Sequence, residues 1–261
     1  MQPENDALGD DPLGRRIAAI HVRVAAAAQR VGRSPEDVHI VAVSKTMPPE
    51  AVIAAARYGL RLFGENRVQE AREKIAMVSA AGLTGLRWEL IGHLQTNKAA
   101  RAVELFARVQ SVDSLRLAEA LEARAAQLGR VLPVLLEVNV AGEASKSGLA
   151  PDEVVAVART IATLPHLRLE GLMTVAPLVD DAESVRPFFR RMRALRDTLR
   201  AEVPQANEHG GGWAELSMGM TDDFEVAIEE GATLVRIGRA IFGERPPITA
   251  ASGEMASNQA T

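Results

Sequence analysis

Short apolar runs alternate along this chain with stretches in which apolar residues recur at helical spacing. A first helix is predicted over residues 14–32. Helix-start signals such as Pro48-Pro49 and Asp113-Ser114 open the later helical stretches. Eight runs have the length and the apolar content of buried strands, and they cover residues 38–44, 60–65, 86–92, 108–113, 131–140, 167–175, 214–218 and 233–238.

Eight strands, each followed by a helical stretch, predict an α/β fold with a parallel sheet. A closed (β/α)8 barrel, the TIM barrel, fits this count better than an open doubly wound sheet, which usually has fewer strands. No G-x-G-x-x-G motif follows any run, which weighs against a Rossmann dinucleotide site. We predict one domain over residues 13–246, with disordered polar segments at 1–12 and 247–261.

Composition narrows the classes of function. The formal net charge is −4 with both signs interspersed, so the chain lacks the basic footprint of a nucleic-acid binder. Cysteine is absent, which excludes disulfides and thiolate chemistry, and no ligand spacing typical of a metal site occurs. The first residues lack the apolar core of a secretory signal, and no run of roughly 18 apolar residues could span a membrane. We expect a cytoplasmic protein without nucleic-acid, membrane or metal partners.

One segment is an exception to the interspersed positive and negative charges. The stretch RPFFRRMRALRDTLR, residues 186–200, is rich in arginine and could be taken for a nucleic-acid-binding helix. Because no other basic patch joins it, we predict that its arginines form the solvated face of an outer helix.

The residues that end the predicted strands form a polar ring with one amine in it. In such barrels the active site lies at the C-terminal ends of the strands, so these positions are the candidates for chemistry. They are Lys45, Glu65-Asn66, Gly92-His93, Asp113, Asn139, Met173-Thr174, Ser217 to Gly219 and Arg236 to Arg239.

The loops after the last two strands suggest a phosphate site. Barrels of this class often hold a phosphate there on backbone amides. Asp222 and Asp223 would repel it from one loop, so we predict that it lies on the amides of Gly238 and Arg239, with Ser217 as a hydroxyl donor. A phosphate opposite a strand-end lysine indicates a phosphorylated carbonyl compound, as in Schiff-base aldolases or with pyridoxal 5′-phosphate (PLP) held as an imine. Alternatively, the glycines here only permit tight turns.

Eight motifs together identify a family. Taken in chain order, these motifs resemble those of the pyridoxal phosphate homeostasis protein family, also called the proline-synthetase co-transcribed family. The resemblance covers about residues 15 to 245 and implies a PLP-binding barrel like the N-terminal domain of bacterial alanine racemase. The motifs that carry it are VAVSKTMPPE, LFGENRVQE, WELIGHLQTNK, VQSVDS, EVNVAGEASKSG, GLMTV, ELSMGMTDDFEVAIEEGATLVRIG and IFGE.

The resemblance implies roles for individual residues. Lys45 matches the lysine that forms the Schiff base with PLP, Arg236 the arginine at the pyridine nitrogen, and Asn66 a residue lining the cofactor pocket. Many members carry threonine where this chain has Arg239, so its guanidinium either turns in to the phosphate or out to solvent. The residues that match the phosphate loops are Ser217, Met218, Gly219, Gly238 and Arg239.

These residues favour cofactor holding over catalysis. An arginine at the pyridine nitrogen leaves that nitrogen unprotonated, which weakens the ring as an electron sink. A racemase also needs a second acid or base; Tyr58, the one tyrosine, lies in the predicted helix after the first strand, which leaves His93 as the candidate. We expect no robust enzyme but a monomeric PLP carrier or regulator in vitamin B6 homeostasis, with PLP-dependent apo-enzymes as partners. The alternatives are a low-activity PLP-dependent amino-acid racemase and a Schiff-base aldolase without PLP.

Overall fold

Parallel strands close into a barrel in the order of the sequence. In this computed structural model the described residues are 11–143, 146–177, 179, 181–207 and 211–244. Each strand pairs with the next, and β1 pairs with β8 to close the ring, which confirms the predicted TIM barrel. The strands are β1 (His39–Val43), β2 (Leu62–Glu65), β3 (Arg87–Leu90), β4 (Arg108–Val112), β5 (Leu132–Glu137), β6 (Leu167–Met173), β7 (Glu215–Ser217) and β8 (Leu234–Ile237).

Helices cover the outside of the barrel. Pro49 occupies the first turn of α2 and Ser114 caps α5 by accepting the amide proton of Leu117, as the start signals predicted. The helices are α1 (Pro12–Arg30), α2 (Pro49–Arg57), α3 (Val68–Ala80), α4 (Ala99–Leu105), α5 (Leu115–Gln127), α6 (Val154–Ile161), α7 (Arg186–Glu202), α8 (Phe224–Glu229) and α9 (Arg239–Phe242). Among the residues described, no helix is long and apolar enough to cross a lipid bilayer.

Helix α1 begins two residues earlier than the periodicity predicted. Asp11 caps it by accepting the amide proton of Leu13, and Pro12 supplies a fixed φ for the first turn. Ordered structure therefore reaches into the segment 1–12 that we expected to be disordered. Residues 1–10 and the expected tail 247–261 lie outside the described part of the chain.

Helix α1, at the start of the barrel sequence, packs against the helices at its end. It packs on α8 and α9 through an apolar face that includes Ile17 and Ile20. Arg23 pairs with Glu225 of α8 at 2.6 Å, and Nε of Arg16 donates to the carbonyl of Ile241 in α9 at 2.7 Å. The first helix is thus held by the last two, on the side where β8 meets β1.

The inside of the barrel is partly apolar and partly polar. Val41, Leu135, Met173 and Leu234 form a small apolar cluster there, separate from the large layer between strands and helices. Side chains alternate in and out along each strand, so polar residues two positions away enter the same space.

These polar residues form a chain of hydrogen bonds, which we call the interior column. Gln110 donates to Glu89, and Ser217 donates its hydroxyl proton to Gln110. Arg236 donates to the Ser217 hydroxyl and to the carbonyl of Thr174, each at 2.7 Å. The five residues are buried, so each bond satisfies a group that water cannot reach.

Candidate functional site

The structure brings the predicted site residues to one side of one end of the barrel. Lys45, Asn66, Ser217 and Arg236 lie at or next to the C-terminal ends of β1, β2, β7 and β8. These four strands are neighbours, because β8 pairs with both β7 and β1, and β1 pairs with β2. The candidate site is therefore a continuous patch of four strand ends.

A strained turn presents Lys45. The lysine is half-buried, and Thr46 after it has a φ of 63°, a left-handed conformation that a branched residue adopts at a cost. Two contacts from α3 hold this turn: Glu70 accepts the amide proton of Thr46, and Nζ of Lys74 donates to the carbonyl of Ser44 at 2.6 Å. The backbone on both sides of Lys45 is thus held by a helix packed outside the barrel.

Lys74 belongs to a buried ion pair that sequence reasoning missed. Its Nζ lies 2.6 Å from Oε1 of Glu65, and the two side chains are 4% and 0% exposed. Ser44 donates its hydroxyl proton to the same oxygen at 2.7 Å. Burial raises the pKa of Glu65, although Lys74 and Ser44 act in the opposite direction. In sequence, Glu70 and Lys74 read as an ordinary surface pair at i,i+4, so only the folded structure reveals the buried partner.

Arg236 is a fixed cation in the wall of the site. Its guanidinium is held by Ser217 and Thr174 and is almost fully buried. No carboxylate among the described residues forms a salt bridge with it. Burial lowers its pKa to about 10, with Asp223 and Glu137 opposing that shift. The guanidinium of Arg236 therefore stays charged at neutral pH. Its positive charge remains available to a bound ligand.

The loops after β7 and β8 carry amides that are available to an anion. The amide of Met218 donates to the carbonyl of Leu234 at 3.1 Å, whereas the amides of Gly219, Gly238 and Arg239 find no acceptor among the described residues. The hydroxyl of Ser217 donates to Gln110 of the interior column in this structure, and its role as a donor to phosphate stays a prediction. An anion here would rest on backbone groups.

The two aspartates that we expected to repel a phosphate are both engaged. Asp222 binds Arg239 through both carboxylate oxygens at 2.6 Å, with side chains 77% and 57% exposed. In this structure the guanidinium of Arg239 turns outward to Asp222. Asp223 accepts the amide proton of Met220 and closes its own loop.

Asn66 lies in a bend after β2 and is half-buried. Gly92, at the end of the neighbouring β3 segment, packs directly on its backbone, since a Cβ at residue 92 would lie 2.5 Å from the carbonyl oxygen of Asn66. Ser111 in turn donates its hydroxyl proton to the carbonyl of Gly92 at 2.7 Å. This close approach fixes the position of Asn66 beside the lysine turn.

Acidic groups occupy the other side of the barrel mouth. Glu137 ends β5, and its Oε2 is buried without a hydrogen-bond partner in the described structure. Burial raises its pKa from 4.5 to about 7; Asp113 adds to that shift, while Arg236 and His93 oppose it. Nδ1 of His93 lies 3.0 Å from a carboxylate oxygen of Asp113 and forms a hydrogen bond with the Ser147 hydroxyl at 3.4 Å, so His93 is not an isolated base. Glu137 can accept or release a proton near neutral pH.

We expect Glu137→Gln to stabilise the protein at high pH and not at low pH. Because the folded pKa of about 7 lies above the ordinary 4.5, the wild type loses stability as pH rises from 4.5 to 7, and glutamine removes this loss. Above pH 7 the gain should reach roughly 1–3 kcal/mol. Urea unfolding of both proteins at a series of pH values measures it. A gain that is equal at pH 4 and pH 8 would contradict the assignment.

Comparison with known proteins places the chain in a family. A sequence profile described as "Alanine racemase, N-terminal domain" matches residues 16–246. A protein named pyridoxal phosphate homeostasis protein from Aquifex aeolicus is 41% identical over 230 residues, which is 88% of this chain and 97% of that protein. One of the same name from Pseudomonas aeruginosa is 44% identical over 234 residues, covering 89% and 96%. The chain belongs to the pyridoxal phosphate homeostasis protein family.

Solved structures agree with this membership. PipY of Synechococcus elongatus PCC7942 is 37% identical and covers 88% of this chain and 100% of its own; its structure without PLP superposes with a TM-score of 0.78. The structure of PipY with PLP bound gives a TM-score of 0.76. Alanine racemase from Corynebacterium glutamicum, at 19% identity and a TM-score of 0.61, covers 90% of this chain and 64% of its own, and shows the shared barrel fold.

Proposed function

We propose that this chain binds PLP at the mouth of its barrel, linked covalently to Lys45, and serves PLP homeostasis in the cytoplasm. The observation that carries the proposal is Arg236, a buried cation without a carboxylate partner among the described residues, on the strand beside the one that leads to Lys45. The names of the curated relatives and the PLP-bound PipY structure support the same ligand.

The residues present fit PLP group by group. PLP supplies an aldehyde that condenses with an amine and a ring that can draw electrons away. Lys45 offers the amine, and the amides of Gly219, Gly238 and Arg239 suit the phosphate. Arg236 suits the pyridine nitrogen, where a permanent cation would keep that nitrogen unprotonated. The site would bind and orient the cofactor without making its ring a strong electron sink.

This chemistry suits a carrier. Covalent linkage restrains a reactive aldehyde, and a weak electron sink limits side reactions on bound amino acids. The proposed role is to hold PLP and deliver it to PLP-dependent apo-enzymes.

Reduction with borohydride tests the attachment point. The chain has four lysines, Lys45, Lys74, Lys98 and Lys146, so peptide mass spectrometry can assign a pyridoxyl group to one of them. We expect the adduct on Lys45 alone, and loss of the PLP absorbance band in Lys45→Ala. Lys98→Ala is the matched control and should keep both. An adduct that persists elsewhere in Lys45→Ala, with an unchanged spectrum, would move the site.

Glu137 favours a second candidate, a slow PLP-dependent amino-acid racemase. Its pKa of about 7 suits a group that transfers protons at neutral pH, and it lies across the barrel mouth from Lys45. Incubation with single-enantiomer amino acids in deuterated water separates the two functions. Exchange of the α-proton at catalytic rates, lost in Glu137→Gln, would favour the racemase; PLP bound without such exchange favours the carrier.

A further inference from the structure

A charged cavity lies at the opposite end of the barrel from Lys45. It has a volume of about 640 Å³, and its wall includes His39, Glu215 and Thr233, which begin or precede β1, β7 and β8. Four arginines line it, and we call this set the arginine pocket: Arg33, Arg193, Arg196 and Arg200.

Helix α7 supplies three of these arginines from one face. Arg193, Arg196 and Arg200 are spaced by three and four residues, so their side chains project to the same side of the helix. They come from the arginine-rich segment that we predicted to be a solvated face. That prediction is wrong for Arg196, whose side chain is 12% exposed.

The carboxylates near the three arginines are few and shared. Asp197 lies 3.1 Å from Arg196 and 3.7 Å from Arg200, and it is more than half exposed. Among the described residues, Glu230 is the one carboxylate that pairs with Arg193, at 3.3 Å, and Glu230 also pairs with two further arginines of α7. Burial lowers the pKa of Arg196, and repulsion from Arg200 adds to it. Positive charge is therefore crowded on this wall.

Three carboxylates line the rest of the pocket: Asp37 lies close enough to Arg33 to act on it electrostatically, whereas Glu229 and Glu215 are matched from outside the pocket. Glu229 pairs with Arg30 and Arg186, each at 2.6 Å. Glu215 pairs with Arg108 at 3.3 Å and accepts the hydroxyl proton of Thr233. They leave the α7 arginines without a full counter-charge.

We propose that the arginine pocket binds the phosphate group of a small phosphorylated metabolite, separately from the PLP site. The forked N–H groups of arginine bind phosphate oxygens in pairs. A dianion between several guanidinium groups also offsets the repulsion among them. The volume exceeds that of free phosphate and leaves room for an organic part, as in small-molecule sites generally. The proposal does not depend on the cofactor assigned to Lys45.

Amide NMR of the full chain locates the binding. Ribose 5-phosphate and inorganic phosphate are titrated, with ribose as the uncharged control. We expect saturable shifts at Gly231 and Thr233 with both phosphates, tighter binding of ribose 5-phosphate, and no shift with ribose. Shifts confined to Gly219 and Gly238 would assign phosphate to the other end of the barrel and overturn the proposal. Absence of saturation by about 10 mM would overturn it as well.

Variants assign the binding to the arginines. Arg196→Gln and Arg200→Gln should each weaken binding of ribose 5-phosphate by roughly tenfold or more. Arg200 is 46% exposed, so its variant should fold even if Arg196→Gln does not. Arg159→Gln, an exposed arginine of α6 paired with Glu202, is the matched control and should leave the affinity unchanged. Unchanged affinity in Arg200→Gln, or tighter binding of a single-stranded oligonucleotide than of ribose 5-phosphate at the same amides, would overturn the proposal.

Discussion

Replacing Lys74 with methionine should lower the free energy of unfolding by about 3–5 kcal/mol, the usual loss when one partner of a buried ion pair is removed. Glu65 is fully buried and would lose the ammonium group that lies 2.6 Å from its carboxylate. The carbonyl of Ser44 would lose its donor as well, which frees the turn that presents Lys45. Urea unfolding of the apo-protein measures the loss, and the dissociation rate of PLP should rise in parallel.

The double variant Lys74→Met with Glu65→Gln is the matched control. It removes the stranded charge together with its partner, so most of the lost stability should return. PLP release should stay fast, because the Ser44 carbonyl still lacks its donor. If the single variant lies within about 1 kcal/mol of wild type, the ion pair contributes no more than a surface pair does.

Replacing Arg236 with leucine should weaken PLP binding strongly. A hydrogen bond to a charged group contributes about 1.5–3 kcal/mol, which corresponds to a roughly 10- to 150-fold rise in Kd. The two groups that Arg236 now holds, the Ser217 hydroxyl and the Thr174 carbonyl, are buried and would be left without this donor. Titration of apo-protein with PLP, followed by absorbance, gives the Kd.

Arg236→Lys separates charge from geometry. Lysine keeps the positive charge but cannot make the same forked contacts, so its Kd should lie between those of wild type and leucine. Parallel unfolding curves show whether a weaker Kd follows from loss of folded protein. Equal affinity in all three proteins would mean that the guanidinium does not contact the ring.

The fold could be predicted because its signals are local. Eight apolar runs of strand length, separated by helical periodicity, give the barrel and the polar strand ends such as Lys45 and Asn66. Parallel strands all end at the same face, so strand order alone gathers these residues.

The hydrogen-bond and ion-pair partners of each side chain could not be predicted. They depend on how strands and helices that are distant in sequence are aligned against each other. Barrel closure places the hydroxyl of Ser217 between Gln110 and Arg236, two partners that lie 107 and 19 positions away in sequence. Lys74 drew no prediction, and α3 packs it against Glu65. Arg196 lies in a segment whose periodicity suits an exposed face, yet it faces a cavity. In each case the missing information is a contact between separate elements.

The contacts of α1 have a consequence for synthesis of the chain. The apolar face of this helix is made on the ribosome before its partners in α8 and α9, which emerge some 200 residues later, as with Arg23 and Glu225, separated by 202 positions. Until then the part of this face that packs on α8 and α9 lacks its native cover, and such exposed apolar faces attract chaperones or aggregate. A chain truncated before residue 224 should therefore be recovered mainly as insoluble material.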